Sequence, residues 1–178
     1  MTTIAWDGTI LAADGGATIG NTSVKPVRKI FAVQAKSGEK YIIALGGKHS
    51  TLRPTISYIS QTEITDGWPR FDPDFMQAMR DQFPAGEHLC NFYMVNEEGV
   101  CLSYENWLSL RIVEGYDAIG NGMDFALGAL YMGAPAREAV AAACEYDTYT
   151  NRPITSMTAE DLRDITSEDI RLKLEAHI

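Results

Sequence analysis

The sequence predicts an α+β fold in which two β-sheets are covered on the outside by helices. Two observations lead there. Strand-like and helix-like stretches come in blocks rather than in strict alternation, which disfavours a doubly wound βαβ sheet. The strand-like stretches are also short, apolar and punctuated by Gly- and Asp-containing turns. The 178 residues suffice to bury a full hydrophobic core. No linker, repeat or low-complexity stretch divides them, so residues 1–178 read as one domain.

The first third carries strands. Thr3–Trp6 alternates polar and apolar residues, Asp7-Gly8 supplies a hairpin turn, and Ile10–Ala13 returns toward Asp14-Gly15-Gly16. Residues 29–35 and 40–45 form a second pair of strands, ending at Gly46-Gly47. Helical spacing of Leu52, Ile56 and Ile59 predicts a helix over 49–63, with Ser50 or Thr51 as its cap and Pro54 in its first turn. Asp72-Pro73-Asp74 opens a second helix, which Pro84-Ala85-Gly86 ends. Strands follow over 91–95, 100–104 and 108–113, rich in β-formers. Ala118–Gly122 then breaks the pattern. Met123–Met132 reads as a helix with Leu127 and Leu130 inward, Gly133 closes it, and Pro135 opens another through Val140 and Cys144. A last helix over 167–178 presents Ile170 and Leu174 on one face.

Composition excludes several classes of function. A net charge of −9 argues against a nucleic-acid partner, because phosphate binding needs clustered Lys and Arg. No apolar run approaches the roughly 20 residues of a membrane span. The N-terminus lacks a secretory signal, so a cytoplasmic location is expected. Cys90, Cys101 and Cys144, and His49, His88 and His177, have no metal-ligand spacing and read as reduced thiols and isolated imidazoles.

Thr2 is the residue with a chemical possibility. A hydroxyl is a weak nucleophile and needs a neighbouring base. A threonine at the very N-terminus can use its own α-amine, whose reference pKa is roughly 7.7 to 8.0. Met1 must then be removed, which a small following residue favours.

The surrounding motifs give Thr2 a context. Thr2-Thr3-Ile4, the Gly8 turn, Leu11–Gly15, Ala17-Thr18, Gly20-Asn21, and Lys25 through Arg28-Lys29-Ile30 resemble the opening of proteasome β subunits, most of all the HslV-type bacterial peptidases. The resemblance continues through Ile42–Gly47 and Ile119–Gly122, and ends at Glu145–Asn151. It implies a four-layer α-β-β-α sandwich of the N-terminal-nucleophile hydrolase type, with threonine peptidase activity in a self-compartmentalising stacked double ring. It further implies homo-oligomers, unfolded peptide substrates and an ATP-dependent unfoldase as partner.

By resemblance, Thr2 is the nucleophile, Lys29 the cation beside its oxygen, and Asp14 the carboxylate holding that lysine. Gly46 offers the oxyanion N–H, while Asp147 and Thr150 support the threonine amine. Ala17, Val27, Ala44 and Lys48 would line the substrate pocket, apolar with one cation at the rim. No cofactor is required, although carbonyls of Cys144, Asp147 and Thr150 would hold a sodium ion as in HslV-type chains.

Three positions depart from the family. Asn121 replaces the serine of the Gly-Ser-Gly turn, and an amide cannot shuttle a proton as a hydroxyl does. Asn151 stands where many proteasome subunits carry glycine, and Ser50 lies near where an aspartate is usual. Two other readings therefore stay open: a catalytically inactive ring or binding protein of the same fold, and a small-molecule amidase with the same nucleophile.

Overall fold

A computed structural model describes residues 2–19, 22–23, 26–83 and 89–177. Met1, Gly20-Asn21, Lys25, the Pro84-Ala85-Gly86 helix stop and His88 lie outside the described residues.

One sheet is formed by β1 (Thr3–Trp6), β2 (Ile10–Asp14), β10 (Asp117–Gly120) and β11 (Ile154–Thr158), in the order β10-β1-β2-β11. The other contains β5 (Ile30–Gln34), β6 (Lys40–Gly47), β7 (Cys90–Asn96), β8 (Cys101–Glu105) and β9 (Leu108–Ile112), in sequential order. Both are antiparallel throughout. A two-residue ribbon, β3 (Thr18–Ile19) with β4 (Thr22–Ser23), lies between β2 and β5 in the chain. The helices are α1 (Leu52–Gln61), α2 (Pro73–Asp81), α3 (Met123–Tyr131), α4 (Ala136–Tyr146), α5 (Ala159–Asp164) and α6 (Ser167–His177).

Local chemistry accounts for most boundaries. The Asp7 carboxylate accepts from the Thr9 and Ile10 amides at 2.9 and 2.7 Å, tightening the β1–β2 turn. Asp72 caps α2 by accepting from Phe75 N at 2.7 Å, with Pro73 in the first helical position as expected. The cap expected at Ser50 or Thr51 does not form. Residues His49–Thr51 make a 3₁₀ turn leading into α1, and the Thr51 hydroxyl donates back to the Lys48 carbonyl at 2.7 Å.

Ala118–Gly122 corrects the sequence reading further. Asp117–Gly120 is a strand, pairing with β1 from Thr3↔Gly120 to Trp6↔Asp117. Its glycines hide a β-pattern only four residues long. Residues 152–166 likewise carry no expected element, yet they contain β11 and α5. A reciprocal capping box opens α5, with Asp161 N donating to the Thr158 hydroxyl at 3.1 Å and Thr158 N to the Asp161 carboxylate at 2.8 Å.

Strand alternation sorts the apolar side chains into three cores. Ile4, Trp6, Leu11 and Ala13 meet Ile30, Ile42, Ala44, Tyr93 and Val95 between the two sheets. On the far side of the second sheet, Phe31, Val33, Ile43 and Leu45 pack with Leu52, Ile56 and Ile59 of α1 and Met79 of α2. On the far side of the first, Ala5, Ala12 and Ala118 receive Ala126 and Leu130 of α3 and Ala136, Ala139 and Val140 of α4. The small residues there bring α4 close to β1 and β2.

Candidate active site

Thr2 shares parity with Ile4 and Trp6, so its side chain faces the second sheet. On β6, Gly46 shares parity with Ile42 and Ala44, which face the first. The two meet: a Cβ added to Gly46 would lie 3.4 Å from both Cβ and Cγ2 of Thr2. Thr2 is held from behind as well, since Asn121 N donates to its carbonyl at 2.9 Å. A Cβ at Gly120 would fall 1.8 Å from that carbonyl oxygen, and Gly120 has φ +103°. Glycine is therefore required at 120 by both space and conformation. Gly120→Ala is expected to displace the Thr2 backbone and lower the melting temperature, read by thermal unfolding. Gly46→Ala, at ordinary contact distance, should fold normally and interfere only with approach to Thr2.

Asp14 and Lys29 form a buried ion pair, with Nζ to Oδ1 2.7 Å and exposures of 0% and 4%. The carboxylate is fully engaged. Oδ1 also accepts from Thr3 N at 2.8 Å, and Oδ2 accepts from Gly16 N at 2.8 Å and Asn151 N at 3.1 Å. Asp14 thus ties β1, the turn after β2, the lysine before β5 and the loop after α4 into one node. Burial pushes the Lys29 ammonium below the ordinary lysine range, opposed by the Asp14 charge and hydrogen bond.

A second buried network lies on the opposite face of β1. Asp147 accepts from the Thr150 hydroxyl, and the Thr150 and Thr3 hydroxyls share a hydrogen bond at 2.6 Å. Thr3 Oγ1 also accepts from Gly122 N at 3.0 Å. Asp147 and Thr150 therefore reach Thr3, one residue beyond the expected Thr2. This explains an aspartate after the C-terminus of α4, where the helix dipole disfavours it. Thr3 and Gly122 were not singled out in the sequence, although alternation in Thr3–Trp6 would have put Thr3 on the α4 side.

Two clefts open on either side of Thr2. One, of about 290 Å³, is walled by Thr2, Gly46, Gly47, Asn91, Gly120 and Asn121. The other, of about 230 Å³, is walled by Thr2 and Lys29 together with Ala17, Val27, Arg28 and Lys48. Ala17, Val27 and Lys48, expected along a substrate pocket, border this cleft beside Thr2. Ala44 does not: it is fully buried in the core between the sheets, on the β6 face opposite Leu45, which does border the cleft. Cys144 is half-buried beside the Asp14–Lys29 pair, and burial pushes its thiol up.

The described residues share their fold with several solved structures. The chain is similar over 88% of its length to 95% of Thiobacillus denitrificans BPH, at 19% identity and a TM-score of 0.63. The same protein in complex with epoxomicin gives a TM-score of 0.62. It is similar over 99% of its length to 93% of an Anbu (Gly-1) mutant from Hyphomicrobium sp. strain MC1, at 14% identity and a TM-score of 0.69. Anbu from Pseudomonas aeruginosa, a helical assembly, shares 12% identity over 99% of this chain and 93% of its own, with a TM-score of 0.65. No family model and no curated protein matches the sequence. No helix among the described residues is long and apolar enough to cross a membrane.

Proposed function

We propose that the chain is a threonine peptidase subunit of a proteasome-like assembly, active once Met1 is removed. The observation that carries the reading is the convergence of Thr2, Gly46 and the buried Asp14–Lys29 pair at the junction of two clefts. The two clefts, of about 290 and 230 Å³, stand at or below the lower end of the roughly 300 to 1,000 Å³ of pockets that enclose a whole small molecule. An extended peptide crossing Thr2 suits that division better than a compact amide substrate. The three stacked cores support a four-layer α-β-β-α sandwich.

In this reading the Thr2 hydroxyl attacks the substrate carbonyl carbon as its proton passes to the freed α-amine. The Lys29 ammonium, in low-dielectric surroundings, favours the anionic form of the attacking oxygen. The Gly46 N–H faces the oxyanion of the tetrahedral intermediate. The amine then gives its proton to the leaving nitrogen, and water cleaves the resulting threonyl ester. Asn121 acts at Thr2 through its backbone N–H, a bond that serine would make equally, so its presence does not favour the inactive reading.

Assembly is part of the proposal. Leu108, Leu110 and Ile112 on edge strand β9, Phe125 and Tyr131 on α3, Met132 just after it, and Tyr146 on α4 are exposed apolar surface of the kind that copies of a chain cover. Access of folded substrates to such an assembly would call for a separate ATP-driven unfoldase. A sodium ion would be held by carbonyls of Cys144, Asp147 and Thr150; the Asp147 carbonyl has only a long 3.3 Å bond from Thr150 N to give up.

The test is hydrolysis of fluorogenic peptides by protein lacking Met1, followed against pH. The rate should rise as the amine loses its proton, through roughly pH 7.7 to 8.0. It should fall again as Lys29 deprotonates, starting below the ordinary lysine range because burial disfavours its charge. A rate independent of pH across 6 to 9, or turnover undiminished with Met1 in place, would refute the mechanism.

A further inference from the structure

Two ion pairs tie the first sheet to the second, one on each flank of β1. On one flank, Asp14 of β2 holds Lys29, just before edge strand β5. On the other, Asp117 of β10 holds Arg111 of β9, the opposite edge strand of the second sheet. The first pair belongs to the site described above. The second lies outside it.

Both partners of the second pair face the space between the sheets. Ile119 packs against the inter-sheet core, so Asp117, two residues away on β10, points the same way. Arg111 lies opposite Ser103, which lies opposite Tyr93 of that core. Burial, and after it the Asp117 charge, push the ionisation of the Tyr93 hydroxyl up, which puts the carboxylate at the margin of the core. The Asp117 side chain is 17% exposed and that of Arg111 54%, so Arg111 can be replaced without opening a cavity.

Strand β10 connects this pair to Thr2. It carries Asp117 at one end and Gly120 at the other, about 10 Å apart at the rise of a β-strand. Its pairing with β1 runs without a shift from Trp6↔Asp117 to Thr3↔Gly120. At Gly120 there is no slack, since an added Cβ would lie 1.8 Å from the Thr2 carbonyl oxygen, and Asn121 N donates to that same oxygen. β10 is also a four-residue edge strand with a neighbour on one side. A shift at its Asp117 end is therefore passed to Thr2, while Gly46 stays with the other sheet.

We propose that Asp117, held by Arg111, is a positioning residue: the pair sets β10 over the second sheet and thereby the placement of Thr2 against Gly46. The inference rests on the peptidase reading, because the group it positions is the nucleophile of that reading. An ion pair with one partner so exposed adds little stability. Placement is another matter, since a misplacement of about 1 Å costs a reaction on the order of 100-fold.

The experiment has two arms, so that failure of hydrolysis and failure of the positioning role are told apart. The first needs no turnover and follows amide hydrogen exchange by mass spectrometry. In Arg111→Met, residues 117–121 should exchange at least about 5-fold faster than in the parent, while β7 stays protected as before. Arg111→Lys, which keeps a cation, should restore the parent rate. Asp117→Ala, reaching the pair from the other strand, should repeat the Arg111→Met result. Unchanged exchange in Arg111→Met, equal loss of protection throughout the chain, or no recovery in Arg111→Lys overturns the inference.

In the second arm, protein lacking Met1 hydrolyses fluorogenic peptides. Arg111→Met should lower kcat by about 10-fold or more with KM within about 2-fold, and Arg111→Lys should recover it. An active parent whose kcat is untouched by Arg111→Met, or a change confined to KM, also overturns it. If the parent itself hydrolyses nothing, the exchange result decides the positioning role and only the peptidase reading falls.

Discussion

Thr2→Ala is expected to lower peptide hydrolysis by at least about 10³-fold while leaving the fold and assembly intact, since knocking out a nucleophile removes the covalent route altogether. The reason lies in where the side chain sits. Thr2 contributes its backbone carbonyl to the β10 pairing through Asn121 N, and alanine keeps that bond. Its side chain borders both clefts, with Cβ and the methyl Cγ2 against Gly46. The neighbouring residue makes the control. Thr3→Ala removes the acceptor of Gly122 N and the partner of Thr150 in a fully buried network. Leaving such groups unsatisfied costs about 1–3 kcal/mol, so this variant should lose stability first and activity as a consequence. Melting curves and single-substrate kinetics on both variants separate the two. A Thr2→Ala protein as active as its parent would move the nucleophile elsewhere.

Asp14→Ala carries the largest expected effect on stability, about 3–5 kcal/mol, because removing one partner of a buried pair leaves an uncompensated charge. Four donors lose their acceptor together: Lys29 Nζ, Thr3 N, Gly16 N and Asn151 N. Lys29→Met leaves the carboxylate with its three backbone donors, so it should cost less stability while still abolishing hydrolysis. Denaturant unfolding of the two variants should therefore rank them in opposite order to any account in which Lys29 is the structural member. Lys29 also links stability to pH. Its pKa is lower folded than unfolded, so between those two values the unfolded chain binds more protons and stability rises with pH. Lys29→Met should remove that alkaline rise.

Much of the fold was legible because two periodicities are cleanly written. Thr3–Trp6 and 40–45 alternate or run apolar, and Leu52, Ile56 and Ile59 mark a helical face; all fell within elements of the expected kind. What escaped was carried by residues with little local signal. Asp117–Gly120 is a strand because β1 supplies a partner, and Ile154–Thr158 is polar enough to pass as loop until it pairs with β2. Within the candidate site, motif order singles out Thr2, Asp14, Lys29 and Gly46, and parity explains why Thr2 and Gly46 face one another. Ala44 shares that parity but lies one pleat further along β6, inside the inter-sheet core, while Leu45 borders the cleft. The Thr3–Thr150–Asp147 chain spans 147 positions between its two threonines, a distance at which no spacing rule reads contact.

The central claim is that the amine and hydroxyl of one terminal threonine act together. A peptide epoxyketone such as epoxomicin probes that union, because its stable adduct needs both groups on the same residue. Intact mass and peptide mapping after treatment should place one adduct per chain on Thr2, only in molecules lacking Met1, and none in Thr2→Ala. An adduct at any other residue, or a chain that loses Met1, stays folded, hydrolyses peptides and yet takes up none of the reagent, would contradict it.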